Sequence, residues 1–261
     1  MRRLLAMLLG AALLLPLALL LLLSVSRQWT WPVLWPDRWQ LRLWHDLLSD
    51  TAGIASAVAR SLLMAIGVGL LATALGFPTS RRLARHRRRG RLLALIHLPY
   101  ALSPVVLAVG LLFVFLKWHL AGHMAGVMLA QLIFAYAYAV ILLSGFWNPR
   151  TDALVDLART LGADGRQVWW RVLLPMALPM LTVCLFQTFL ISWFDYPLAL
   201  LIGSGQVQTL TIRLFEYFSS GDIRLAASCA LLLMAPPLLA LLVNHRLLSS
   251  AAAPHLETLD D

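Results

Sequence analysis

Apolar residues run through this chain in six long blocks: Leu4–Val25, about Ala52–Ser80, Leu92–Leu116, Met124–Trp147, about Met176–Ile202 and about Leu225–Val243. A hydrocarbon layer about 30 Å thick is crossed by roughly 20 apolar residues in a helix, and each block has that length. The pattern predicts six membrane helices. Between the fourth and fifth blocks it changes: a polar passage of about 28 residues, long for a connection in a compact domain, carries two shorter periodic pieces. Leu154, Leu157, Ala158 and Leu161 recur at helical spacing while Asp152, Asp156, Arg159 and Thr160 fall on other faces, which predicts a short amphipathic helix over Thr151–Leu161. Asn148-Pro149 supplies its start and Gly162 its stop. Asp164 stands three residues before Gln167, a variant of the capping box. It would open a second helix through Val168, Trp169, Trp170 and Val172 to Leu174-Pro175, where the fifth block begins.

Composition fixes the class. Of 261 residues, 61% are hydrophobic and 13% charged, and the mean hydropathy is +0.80, against about 25% charged in an ordinary soluble domain. Six such blocks could not be hidden in a soluble core with so little polar sequence left to cover it. The chain is expected to be an all-α polytopic membrane protein. The 21 Lys and Arg against 12 Asp and Glu could suggest nucleic acid as a partner, but they cluster at the ends of apolar blocks, where membrane topology explains them. Assigned to alternate connections with the N-terminus inside, 14 of the 21 fall on the cytoplasmic side, seven of them between Arg81 and Arg91. Both termini, and the passage between blocks four and five, are therefore expected in the cytoplasm. The first block follows Met1-Arg2-Arg3 as a secretory signal would. Its apolar run is longer than a signal's usual core and no small-x-small site closes it, so a retained first helix is expected.

Other features need only modest explanations. Trp29, Trp31, Trp35, Trp39 and Trp44 lie between the first two blocks, and tryptophan favours the membrane interface; this segment reads as lying against the outer surface. The arginine run from Arg81 to Arg89 reads as an anchor on anionic lipid. Cys184 and Cys229 sit inside apolar runs and suggest packing, with neither disulfide nor zinc spacing. His119 and His123, four apart, could place two imidazoles on one face, yet no Asp, Glu or Cys accompanies them; they read as interfacial, and no metal is expected. Gln187, Ser192, Asp195 and Tyr196 are different. They are polar positions within the fifth block, where such groups are costly enough to suggest function, and Pro197 directly after them predicts a kink.

The spacing Asp156-x-Ala158-x-x-x-Gly162, nine residues, then Val172-x-Leu174-Pro175 resembles the EAA loop in permease subunits of bacterial ATP-binding cassette (ABC) importers, whose pattern is Glu-Ala-Ala, three residues, Gly, nine residues, Ile-x-Leu-Pro. The second alanine, the glycine, the leucine and the proline match. Asp156 and Val172 are conservative changes, and Leu157 departs from the pattern. The resemblance extends, through the layout of helices, over about Ala52 to Arg246. It implies a type I importer permease (MetI-like) fold of six transmembrane helices: residues 1–51 as the first helix and Trp-rich periplasmic segment, 52–246 as the permease core with its coupling loop at about 148–175, and 247–261 as a cytoplasmic tail.

The resemblance also implies a mechanism. The EAA loop would sit in a groove of a cytoplasmic ATPase subunit, with Asp156 and Arg159 making charged contacts, the apolar face packing into the groove, and Gly162 allowing the tight turn. A pair of ATP-binding subunits closing on ATP would then rock two permeases between inward-open and outward-open forms. The chain carries no G-x-x-x-x-G-K-[S/T] phosphate loop, and its one lysine is Lys117; a separate ATPase is expected, and no catalytic residue or cofactor in this chain. The expected partners are a second permease, two ATP-binding subunits, a periplasmic solute-binding protein and lipid, in the bacterial inner membrane, with no nucleic acid. Ser192-Trp193-Phe194-Asp195-Tyr196-Pro197 and Gln208-Thr209-Leu210-Thr211-Ile212-Arg213 are similar to segments of spermidine/putrescine permeases, where Thr211 replaces an expected proline. A polyamine is the solute this implies; iron, thiamine, sulfate and aminophosphonate permeases share the framework. A secondary transporter would instead show paired intramembrane carboxylates or inverted repeats, and a membrane enzyme a cluster of His, Asp or Glu at one depth. The sequence displays neither.

Overall fold

The structure is a computed structural model that describes residues 2–26 and 53–252. The Trp-rich segment and the tail after Ala252 lie outside the described residues. The chain divides into two compact units, residues 1–57 with 210–261, and residues 58–209.

In the second unit, α2 (Ile54–Ala84, whose first residues belong to the other unit) continues past the expected end at Ser80 and carries Arg81 and Arg82 in its last turn, where cations complement the helix dipole. Small residues let it approach its neighbours. A Cβ on Gly76 would stand 2.7 Å from the Cβ of Ala139, and one on Gly69 would stand 3.3 Å from both the Leu185 carbonyl oxygen and the Phe189 amide nitrogen. Such close backbone approach is how membrane helices gain dispersion contact when lipid is as apolar as their own side chains. Thr73 adds a hydroxyl contact to Thr188 at 3.4 Å.

The third block, expected as one helix over Leu92–Leu116, is broken instead into α3 (Arg89–Ile96), α4 (Leu98–Ala101) and α5 (Pro104–Lys117). Pro104 is the reason for the break before α5. It has no amide hydrogen and its ring drives the preceding residue out of the helical region; Leu102 and Ser103 are both extended, with ψ of 144° and 136°. The 14 residues of α5 rise only about 21 Å.

Next come α6 (Met124–Ser144), α7 (Pro149–Thr160), α8 (Gly165–Gln167), a π-helical turn (Val168–Leu173), α9 (Leu174–Trp193) and α10 (Pro197–Gly203). From Gly165 to Trp193 the helix is continuous over 29 residues, so the expected second piece of the polar passage is the first part of the membrane helix itself. The fifth block, expected to reach Ile202, breaks at Phe194–Tyr196 before Pro197: the expected kink is a full interruption. α6 packs on α9 and α10, and α10 on α5.

In the first unit, α1 (Arg2–Val25) and α11 (Leu210–Ser219) pack against α12 (Ile223–Ala252). Asp222 opens α12 by accepting the Leu225 amide at 3.1 Å. Among the described residues, three helices are long and apolar enough to cross a membrane: Ile54–Ala84, Met124–Ser144 and Gly165–Trp193. Shorter apolar pieces fall in the other three blocks, at Leu14–Val25, Pro104–Lys117 and Ile223–Leu239.

Candidate functional site: the α7 hairpin and its anchorage

Local chemistry builds the α7 hairpin at both ends. The Asn148 side chain accepts the Thr151 amide at 3.1 Å, Pro149 fills the first helical position, and the Thr151 hydroxyl reaches back to the Phe146 carbonyl at 2.9 Å. These satisfy groups that a helix start leaves unpaired. At the other end Gly162 adopts φ +86°; its amide donates to Arg159 O at 2.9 Å and that of Ala163 to Ala158 O at 3.0 Å, the paired bonds of a Schellman stop. The capping box then forms as the spacing predicts. Asp164 Oδ1 accepts the Gln167 amide at 2.6 Å, and Gln167 Oε1 accepts the Asp164 amide at 3.2 Å.

Two stripes of α7 face opposite ways. Thr151 and Val155 are buried and Ala158 half-buried, with Val155 joining a core made with Val68, Phe77, Leu143, Trp147, Val168 and Leu173. Leu154, Leu157 and Leu161 point away, Leu157 at 56% and Leu161 at 80% exposure, and the flanking Asp156 and Arg159 are exposed. The inward stripe was not legible because threonine and a lone valine give a weak apolar signal beside three leucines. Of the other loop residues, Val172 and Leu174 are half-buried and Pro175 is exposed, while the adjoining Leu173 is fully buried.

Beneath the hairpin lies a cluster the sequence did not announce. The Arg81 guanidinium stands over two indoles, 5.5 Å from the Trp147 ring centre and 5.3 Å from that of Trp169. Trp147 Nε1 donates to Ser80 Oγ at 2.8 Å, and Ser80 Oγ donates to Phe77 O at 2.7 Å. The Phe77 ring lies 5.3 Å from Trp147 and 5.2 Å from Trp169. One turn further, Arg85 pairs with Asp152 at 2.9 Å, tying the end of α2 to the first turn of α7. Arg81 Nε is buried without a hydrogen-bond partner.

The polar positions of the fifth block divide. Ser192 Oγ donates to Gln131 Oε1 at 2.6 Å, Gln131 Nε2 donates to Asp195 Oδ2 at 2.9 Å, and the Ala199 amide donates to the same carboxylate oxygen at 3.0 Å. This chain borders a cavity of about 130 Å³ lined by Asp195, Gln131, Tyr100 and Phe134 among others. Gln187 and Tyr196 are half-buried and do not line it; Tyr196 directly precedes α10 and makes no side-chain cap there. Gln131 was missed, though a lone amide in the fourth apolar block was a signal. His119 lies in the turn after α5 with φ +54°, and His123 caps α6, so the two do not share a helix face. Among the described residues no group of His, Cys, Asp and Glu could hold a metal ion.

Comparison with known proteins gives the family of this chain. Residues 65–252 match the family described as "Binding-protein-dependent transport system inner membrane component", and the chain belongs to that family: it is an ABC importer permease subunit. It is 32% identical over 219 residues to the molybdenum transport system permease protein ModB of Mycobacterium tuberculosis, covering 77% of this chain and 80% of that one. It is 24% identical over 180 residues to the spermidine/putrescine transport system permease protein PotC of Haemophilus influenzae, covering 68% and 70%. A third relative, the inner membrane ABC transporter permease protein YcjP of Escherichia coli, is 23% identical over 195 residues, covering 73% and 70%.

Proposed function

We propose that this permease spans the bacterial inner membrane with six helices and both termini in the cytoplasm. It forms a solute path with a second permease, identical or related, and couples that path through α7 to two separate ATP-binding subunits; a periplasmic binding protein delivers the solute. The observation that carries the coupling reading is the outward stripe Leu154, Leu157 and Leu161, with Asp156 and Arg159 beside it, on a helix whose opposite face is locked into the core. Apolar side chains are held in water there unless another protein covers them. Gly162 shapes the end of this surface, and Val172, Leu174 and Pro175 carry the chain from it into α9. Leu157→Asp tests the reading: the variant should remain in the membrane and lose the ATPase on co-purification. Undiminished ATPase recovery would remove α7 as the contact.

For the solute we infer a cation of the polyamine class, because Asp195 and Ser192 meet Gln131 at a cavity with two aromatic walls. Gln187 and Tyr196 would extend the path along α9. A second reading, a molybdate-like oxyanion, is favoured by the higher identity to relatives named for molybdenum transport. Asp195→Asn separates the two. Polyamine uptake should fall about tenfold with the loss of one ion contact worth roughly 1–2 kcal/mol, whereas oxyanion uptake should not fall.

A further inference from the structure

We infer that Arg81, held between Trp147 and Trp169, is the positioning residue that passes movement of α7 into membrane helix α2. The inference rests on the coupling reading above and adds the internal joint that reading lacks. Three chain segments meet at this one guanidinium: the end of α2 through Arg81 itself, the turn between α6 and α7 through Trp147, and the π-helical turn below α9 through Trp169. A helix surface alone cannot move its neighbours; the push must cross contacts that hold in both directions. Arginine suits that duty. Its planar cation binds two ring faces at once and loses little freedom in doing so, which a lysine ammonium cannot reproduce.

The surroundings fix the joint without freezing it. Trp147 is tied by its Nε1 to Ser80, one residue before Arg81, so the indole and the guanidinium ride on the same turn of α2. Trp169 instead belongs to the wide turn Val168–Leu173, where the Leu174 amide bonds to Trp169 O. Pro175 at the next position cannot donate, and its ring would crowd the carbonyl four residues back; a widened turn relieves that, and such turns mark places where a helix adjusts. Arg81 thus has a firm partner on one side and an adjustable one on the other. Its buried Nε makes no hydrogen bond, and the guanidinium stands over both indoles, so stacking contributes to holding it. The Arg85–Asp152 pair runs alongside but is exposed on both sides, and a pair of that kind is too weak to carry the load alone.

The experiment uses the complete transporter, with its ATPase and partner permease, in proteoliposomes, and reads ATP hydrolysed per solute carried. Arg81→Lys and Arg81→Met should both keep the ATPase bound; Arg81→Met, which loses both cation–ring contacts, should raise that ratio about five- to thirtyfold, and Arg81→Lys, which can hold only one ring face, about two- to fivefold. Arg85→Met should change it less than Arg81→Lys. A wild-type ratio in either Arg81 variant overturns the inference. So does loss of both from the membrane with a wild-type ratio in the remainder, which would assign Arg81 to folding. Failure of the coupling reading looks different: Leu157→Asp would then retain the ATPase whatever Arg81 does.

Discussion

Gly162 offers a test whose size comes from the backbone alone. Its φ is +86° and a Cβ built there would meet no atom within 4 Å, so any substitution is penalised by conformation rather than by collision. An L-residue in the left-handed region costs about 1–2 kcal/mol. The stop it forms has two backbone hydrogen bonds, at 2.9 and 3.0 Å, each contributing about 0.5–1.5 kcal/mol net. Strain and gain nearly cancel in Gly162→Ala, leaving the turn about half formed, and ATP-driven uptake should fall about twofold. Gly162→Val, β-branched, should fall further, and Gly162→Asn, which tolerates this region, should stay near wild type. Uptake and ATP hydrolysis are measured together in proteoliposomes, with membrane abundance held as a control. Wild-type uptake in Gly162→Val, or equal damage from Asn and Val, would refute the reasoning.

Two further substitutions probe the frame that holds the hairpin. Gly76→Ala forces a Cβ to 2.7 Å from that of Ala139 and should cost about 1–3 kcal/mol by overpacking, read as a lower Tm in detergent; an unchanged Tm would mean that α2 and α6 do not approach so closely. Asp164→Ala removes the capping box and should cost about 1 kcal/mol, while Asp164→Ser should recover most of it; equal Tm values for the two would show the cap to be idle.

The parts of the fold legible in the sequence were those set by local chemistry or by length. Asn148-Pro149, Gly162 and Asp164 with Gln167 each form the cap their spacing predicts, because a cap involves only residues within a turn of one another. At Pro197 a kink was expected, and the helix is interrupted outright over Phe194–Tyr196. The break before Pro104 was not expected: an apolar run counted for length does not register that Ser103 must leave the helical region. Contacts across the chain were the least legible. Arg81 reads as one of many arginines on a lipid surface until Trp147 and Trp169 are brought over it, and Gln131 reads as an isolated amide until Ser192 and Asp195 arrive beside it. Which stripe of α7 turns inward likewise depends on the core that receives it: Val155 packs with Val68, Phe77 and Leu143 while the three leucines stay outside.

That outer face is where the account is most directly tested. Both native cysteines are buried, so Leu157→Cys would place an accessible thiol at the centre of the exposed stripe. In the intact transporter, a short bifunctional cross-linker at this thiol should give one adduct, between this chain and the ATP-binding subunit, with its yield changing on addition of ATP. An active transporter that yields no such adduct, while the thiol still reacts with a small maleimide, would contradict the claim that α7 is the surface through which ATP hydrolysis drives this permease.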